Sequence, residues 1–185
     1  HPSMHEQAAV LARMGIEIIR VKPNASGCIE PEALGNAMKP DTVLVSVMAV
    51  NNESAAINQL TVLSKTISES SKGRPVLFHA DAVQAFGKIR LKPLELGIDA
   101  LSLSAHKLGG PRGIGALYLH RPFPVLAKGG GQESGIRSGT PNVSGALACA
   151  RAAQRATNEL DTNLAHARML EHRLATGLGA IAGAT

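Results

Sequence analysis

Aromatic residues are almost absent from this 185-residue chain: they make up 2% of it, with no Trp, one Tyr and three Phe. Proteins that bind single-stranded nucleic acids stack the bases on aromatic rings, and this chain offers few such rings. Its 19 Lys and Arg are scattered among 14 acidic residues without a basic run. The formal net charge of +5 therefore does not indicate a nucleic-acid partner.

Cysteine and long apolar runs are also scarce. Cys28 and Cys149 lie far apart and form no C-x-x-C pair, so neither a zinc knuckle nor a disulfide framework is indicated. We interpret both as structural thiols and expect a reducing compartment, the cytoplasm. No apolar run approaches the roughly 20 residues that span a bilayer, so we expect no membrane partner.

The composition that remains is that of a globular protein, with 44% hydrophobic and 18% charged residues. The chain opens with His1-Pro2-Ser3-Met4, shows no signal-peptide pattern and runs directly into a helical pattern. We therefore expect it to be an internal piece of a longer protein.

Apolar runs with strand character alternate with segments of helical period, which predicts an α/β protein with a mainly parallel sheet. Helices are predicted at 4–14, 31–38 and 60–71, with two more from residue 143 onward, and strands at 16–21, 42–48, 75–79, 100–104 and 115–119. The strand at 42–48 is apolar on both faces, as in a buried parallel strand. The last two strands are joined by only about ten residues, so we expect one antiparallel strand in a mixed sheet.

Polar residues follow three of these strands, and ligands of open α/β sheets bind beyond the carboxyl ends of the strands. They are Asn51, Asn52 and Glu53 after the second strand, Asp81 and Gln84 after the third, and His106 and Lys107 after the fourth. We expect all of them to converge on one edge of the sheet.

Lys107 stands between a buried strand and a glycine-rich loop. Such a lysine is often a solvated surface charge, but a desolvated lysine near another cation is suited to Schiff-base chemistry. Ser104 and His106 beside it could hold an anion such as phosphate. Asp81 fits a helix N-cap, and it also fits the carboxylate that keeps the pyridine nitrogen of pyridoxal phosphate (PLP) protonated.

Four strings, in order and at matching spacing, resemble the cysteine desulfurases of the class V aminotransferase superfamily, and the likeness covers the whole chain. They are S-V-M-A-V-N-N-E (Ser46 to Glu53), F-H-A-D-A-V-Q-A-F-G-K (Phe78 to Lys88), S-A-H-K-L-G-G-P-R-G-I-G (Ser104 to Gly115) and G-G-G-Q-E-S-G-I-R-S-G-T (Gly129 to Thr140).

The resemblance implies a role for each matching residue. Lys107 matches the lysine that binds PLP covalently and moves protons at the substrate α-carbon. The other matches are Asp81 for the pyridine nitrogen, Gln84 for the phenolic oxygen, Ser104 and His106 for the phosphate, Asn52 near the cofactor and substrate carboxylate, His1 stacked on the PLP ring, and Thr140 for the phosphate of the neighbouring subunit. No residue is implied as a metal ligand.

The implied fold is most of the large domain of a fold type I PLP enzyme at 1–158, lacking its N-terminal part, with the start of a small C-terminal domain at 159–185. The implied protein is a homodimeric enzyme of iron–sulfur cluster biogenesis. It converts L-cysteine to L-alanine and passes the sulfur to an enzyme cysteine and then to an acceptor protein. Selenocysteine lyase or another class V enzyme is the alternative, because the loop that discriminates between them is not in these 185 residues.

Several departures accompany the resemblance. Ala105 stands where family members often have Gly, and Ser54-Ala55-Ala56 replaces an apolar residue and Gly after Asn52-Glu53. The Gly/Thr-rich phosphate loop and the loop with the persulfide-forming cysteine are not in this sequence. Neither Cys28 nor Cys149 matches that nucleophile, so we expect the 185 residues alone to be inactive.

One alternative belongs to a different class of site. His79 and Asp81 project to the same side of an extended segment, and His106 could complete two histidines and a carboxylate around non-haem iron. Sites of this kind usually occur in all-β barrels, whereas this chain alternates β and α. We keep it as a remote alternative.

Overall fold

The computed structural model describes residues 1–123, 125, 129–181 and 183. Within these ranges the chain forms five α-helices and four strands. In chain order they are α1 (Pro2–Arg13), α2 (Pro31–Ala37), β1 (Leu44–Met48), α3 (Leu60–Ser71), β2 (Leu77–Asp81), β3 (Ala100–Ser104), β4 (Gly115–Leu119), α4 (Val143–Asn158) and α5 (Leu160–Gly179). None of these helices is long and apolar enough to cross a bilayer.

The strands form one sheet in the order β1-β2-β3-β4. β1 and β3 both pair in parallel with β2. The Ala105 N–H donates to the Ile114 carbonyl at 3.1 Å, and the His120 N–H donates to the Asp99 carbonyl at 2.7 Å. These bonds join the end of β3 to the start of β4 and the start of β3 to the end of β4, which is the antiparallel arrangement. The expected mixed, mainly parallel α/β sheet is confirmed.

The chain divides into two compact units whose bounds interleave along the sequence. Unit 1 comprises His1–Gln84, Lys92–Ser102 and Leu117–Pro122, and unit 2 comprises Ala85–Leu91, Leu103–Ala116 and Phe123–Thr185. The predicted boundary after residue 158 coincides with the end of α4, and as a division between large and small domains it stays a prediction.

The core of unit 1 is aliphatic and contains one large aromatic ring. Phe78, Leu63 and Leu101 are its largest fully buried side chains. On α3 the buried positions are Leu60, Leu63, Ile67 and Ser71, which recur at the spacing of one helical face. Burying a side chain of this size contributes roughly 1.5–3 kcal/mol, so this face accounts for the helix predicted at 60–71.

Unit 2 is organised around α4. The Asn142 side chain caps this helix by accepting the Gly145 N–H at 2.9 Å. Cys149 and Ala152 form its buried face, and the helix contacts a short 3-10 helix at Ala105–Leu108. The α4 contact therefore supports the segment that carries His106 and Lys107.

Three predicted strands differ from the structure. The segment 16–21 forms no strand and pairs with none of the described strands, so its backbone groups are not held in a ladder. β1 begins at Leu44 because Thr42 closes a turn with Lys39, and only Val45 and Val47 are buried in it, not both faces. β2 begins and ends two residues later than predicted, which places Asp81 within the strand and not after it.

Candidate functional site

Asp81 is the last residue of β2 and is 5% exposed. Its register partner is Met48, the last residue of β1, so the two parallel strands end at the same level. The Asp81 carbonyl accepts the Ala49 N–H at 2.8 Å, and its carboxylate Oδ1 accepts the Val83 N–H at 3.0 Å. These bonds fix a buried carboxylate at the carboxyl edge of the sheet, where the sequence predicts ligand contacts.

His1 lies at the end of β1. Its main-chain nitrogen is 3.8 Å from the Met48 Sδ atom. Its ring Nδ1 accepts the Ser3 N–H at 3.2 Å and so caps α1. Within unit 1, His1 and Asp81 therefore both lie near the paired ends of β1 and β2.

Asn52 and Gln84 lie in turns of unit 1 that follow β1 and β2. Asn52 is exposed, and its turn is held by the Asn51 carboxamide oxygen, which accepts the N–H groups of Glu53 and Ser54, each at 2.9 Å. Ala55 follows with φ 58°, a left-handed conformation. Ala55, which stands where the resemblance places glycine, thus has a conformation that glycine adopts at lower cost.

His79 bridges two neighbouring strands. Its Nδ1 lies 2.8 Å from the Ser46 Oγ on β1, and its Nε2 lies 3.2 Å from the Ser102 Oγ on β3. Burial lowers the pKa of His79, although the nearby Asp81 carboxylate acts in the opposite direction. With both ring nitrogens engaged, His79 is poorly placed to bind iron. Among the described residues no group of three His, Cys, Asp or Glu could hold a metal ion, and the iron alternative is not favoured.

In unit 2, the end of β3 brings Ser104 and His106 together. The Ser104 Oγ lies 2.8 Å from the His106 Nδ1. Ala105 and Leu108 are buried and anchor the 3-10 helix, while His106 and Lys107 between them are exposed. Lys107 is therefore a solvated lysine in this structure, the more common of the two environments considered from the sequence, because the two apolar anchors direct the residues between them outward.

Lys88 is a neighbour of Lys107 that the sequence reasoning missed. Partial burial and the like charge of Lys107 both lower the pKa of Lys88. Gly87 packs against the 3-10 helix, since a Cβ added there would lie 3.4 Å from the Leu108 Cδ2 atom. The sequence does contain one indication of this residue, because Lys88 ends the same string that contains Asp81 and Gln84.

Thr140 is exposed at the end of a loop that closes on itself in unit 2. The Gln132 Oε1 accepts the Gly139 N–H at 3.1 Å. Glu133 and Ser134 both have positive φ, 50° and 56°, so the loop holds two consecutive residues in a conformation that usually favours glycine. The Gln132 side chain therefore holds the backbone of the residue that directly precedes Thr140.

The two cysteines lie in different units, and their role as structural thiols stays a prediction. The Cys28 Sγ atom lies 3.5 Å from the Ile57 carbonyl oxygen in unit 1, and Cys149 is buried on α4 in unit 2. The predicted site residues thus divide between the units. His1, Asn52, Asp81 and Gln84 belong to unit 1, and Ser104, His106, Lys107 and Thr140 belong to unit 2.

Comparison with known proteins gives consistent relatives. The profile of the family described as Aminotransferase class-V matches residues 1–185. A cysteine desulfurase IscS of Anaeromyxobacter dehalogenans is 37% identical over 182 residues, covering 96% of this chain and 44% of that protein. The mitochondrial cysteine desulfurase of Saccharomyces cerevisiae is 40% identical over 185 residues, covering 96% of this chain and 36% of that protein.

A solved structure titled NifS-like protein superposes with a TM-score of 0.90 at 37% identity, covering 96% of this chain and 49% of the other. The chain thus spans less than half the length of each of these three proteins.

Proposed function

Because the chain belongs to the class V aminotransferase family, we propose that it forms part of a PLP-dependent cysteine desulfurase. The observation that carries this proposal is the 37% identity, over 96% of the chain, to a protein named as a cysteine desulfurase. The names of these relatives favour cysteine over selenocysteine as the substrate.

The residues present suit the chemistry of PLP. The contact between the Ser104 hydroxyl and the His106 ring forms a polar pair that can donate hydrogen bonds to a phosphate, and the Lys107 ammonium follows directly. The buried Asp81 carboxylate at the end of β2 is the type of group that holds a pyridine nitrogen protonated.

The proposed roles of the site residues follow the resemblance. Lys107 binds the cofactor covalently and moves protons at the substrate α-carbon, Asp81 keeps the ring nitrogen protonated, and Gln84 binds the phenolic oxygen. His1 stacks on the ring, Asn52 contacts cofactor and substrate carboxylate, and Thr140 binds the phosphate of a second subunit. When bound, PLP withdraws electrons from the α-carbon of the amino acid.

The proposed reaction converts L-cysteine to L-alanine and leaves the sulfur on an enzyme thiol as a persulfide. An acceptor protein then takes the sulfur for iron–sulfur cluster biogenesis. We propose a homodimer of fold type I, with the large domain at 1–158 and the small domain beginning at 159. The cytoplasm is the proposed location, although one of the relatives is mitochondrial.

Borohydride reduction tests the assignment of Lys107. The full-length protein is loaded with PLP, reduced and mapped by peptide mass spectrometry, with release of alanine from cysteine measured in parallel. We expect a pyridoxyl group on Lys107, loss of that adduct in Lys107→Met, and retention of it in the matched variant Lys88→Met. An adduct on another lysine would refute the assignment, and absence of PLP binding would refute the proposed function.

A further inference from the structure

The ring of His79 connects three neighbouring strands on one face of the sheet. Ser46 on β1 is its register partner, and Ser102 on β3 is the register partner of Asp81. His79 and Asp81 are two residues apart on β2, so both project from the same face. Ser46, His79 and Ser102 thus form a row of hydrogen-bonded side chains across β1, β2 and β3. This row lies on the same face of the sheet as Asp81, two residues before it on β2.

The opposite face of these strands is apolar. Val45, Phe78 and Leu101 are buried there, with exposures of 8%, 2% and 1%. Polar residues on the His79 face are therefore not needed to fill that core. Packing of the apolar core therefore does not explain why a histidine ring with two serine partners stands at this position.

The hydrogen bonds are those that a neutral imidazole can make. A neutral ring has one N–H donor and one acceptor nitrogen, and a serine hydroxyl can act as either partner. Burial favours the neutral form of His79. A charged ring beside Asp81 would attract the carboxylate and compete with any other cation that this carboxylate binds.

We propose that His79 is a positioning residue for Asp81. Held between Ser46 and Ser102, its ring fixes the spacing of β1, β2 and β3 beside the carboxylate and leaves that carboxylate available to a cationic ring nitrogen. This inference rests on the proposed function, because that nitrogen belongs to PLP. It adds a second layer of support, formed by three residues outside the set expected to touch the cofactor.

The test measures the cofactor nitrogen directly. The full-length protein is loaded with PLP carrying ¹⁵N in its ring, and solid-state ¹⁵N NMR reports whether that nitrogen is protonated. We expect a protonated nitrogen in the wild type and a shift toward the unprotonated signal in His79→Leu. The double variant Ser46→Ala, Ser102→Ala removes only the two hydroxyl groups and should shift the signal in the same direction. PLP affinity should fall roughly tenfold in both variants, the effect of one weakened charged hydrogen bond.

A matched control is available on α3 in the same unit. Ser64→Ala combined with Ser71→Ala removes two serine hydroxyl groups that donate to carbonyl oxygens at 3.1 and 2.9 Å. This variant should lose stability and keep the protonated nitrogen signal. If His79→Leu does not fold, the double variant Ser46→Ala, Ser102→Ala tests the positioning role of His79 by itself.

The possible failures are distinct. Wild-type protein that takes up no PLP would overturn the proposed function and this inference with it. Bound PLP with an unchanged nitrogen signal in the variants at His79 and its serines, or an equal change in the α3 control, would overturn the positioning role alone.

Discussion

Ala55 adopts a left-handed backbone conformation, with φ 58°, in the turn that follows Asn52. Its Cβ makes this conformation costly, and glycine would relieve that cost. Ala55→Gly in the full-length protein should raise the free energy of unfolding by a net value of about 0.5–1 kcal/mol, because the strain relieved, about 1–2 kcal/mol, exceeds the entropy that glycine adds to the unfolded chain. Urea denaturation measures it. Ala55→Ser keeps a Cβ and should bring no gain; an equal gain in both variants would contradict the role of φ.

His79 should make stability depend on pH. Burial is the main cause that lowers the pKa of His79 in the folded protein below 6.5, the value in the unfolded chain. At a pH between the folded and the unfolded pKa, the unfolded chain therefore binds a proton that the folded protein does not. The stability from this group is fully present above about pH 6.5 and is lost as the pH falls through the folded pKa.

Denaturation of the apoprotein at about pH 7.5 and about pH 5.5 tests this expectation. The wild type should lose more stability on acidification than His79→Gln, which cannot titrate. Other histidines are common to both proteins and cancel in the comparison. Equal losses in the two proteins would show that His79 does not titrate differently on folding.

Asp81 and Lys107 can be proposed as site residues from the sequence because each stands in a distinctive string after an apolar run. The sequence does not indicate the partners of His79. Ser46 and Ser102 are far from His79 in sequence, and their contact depends on the register of three strands. Register is fixed by which side chains fill the buried face, so a contact across strands cannot be derived from one strand alone.

At the scale of elements, the turn that contains Gly87 packs closely against α4. Gly87 has φ 71°, and a Cβ added there would lie 2.7 Å from the Ala156 Cβ atom. Gly87→Ala combines backbone strain with overpacking, and we expect a loss of roughly 2–4 kcal/mol in stability.

Gly113→Ala is the matched control for this substitution. Gly113 lies in the same unit with φ 77°, but an added Cβ would meet nothing within 4 Å. Only the strain remains, so the loss should be about 1 kcal/mol. Thermal unfolding of the two variants side by side gives the difference, and equal losses would show that α4 does not press on Gly87.

The helix predicted at 60–71 coincides with α3, because it repeats apolar residues on one face, and the strands predicted at 100–104 and 115–119 coincide with β3 and β4. The bounds of the other strands were less accurate. Pro75 has no N–H for a ladder, and β2 starts at Leu77, whose N–H donates to the Val43 carbonyl at 2.9 Å. The strand predicted at 16–21 has the right residue types, but a strand also needs a neighbour, which sequence pattern does not supply.

For the whole molecule, the mixed sheet followed from the length of one connection, whereas the interleaved units did not follow from any local pattern. Each unit is assembled from segments far apart in sequence. A linear division, such as one near residue 158, comes from the change in composition along the chain and not from contacts. The contacts that form each unit therefore cannot be derived from the sequence pattern alone.

The shared site is the prediction that belongs to the assembled protein. Thr140 is exposed, and in our proposal it binds the phosphate of a second subunit whose PLP is held by that subunit's Lys107. A Lys107→Ala chain and a Thr140→Ala chain of the full-length protein should each be weakly active alone. In a mixed dimer, the intact Lys107 of one chain meets the intact Thr140 of the other, which restores one of the two sites.

Equal amounts of the two chains, after complete exchange of subunits, should thus recover about a quarter of the wild-type sites, because half of the dimers are mixed. The readout is alanine formed from cysteine. Mass spectrometry of differently tagged chains confirms that exchange has occurred. The control mixes wild-type chains with chains carrying both substitutions; there every mixed dimer pairs an intact Lys107 with a substituted Thr140, so mixed dimers add almost nothing. If Thr140 acts within its own subunit, the first mixture gains nothing either, and confirmed exchange without recovery would exclude a shared site.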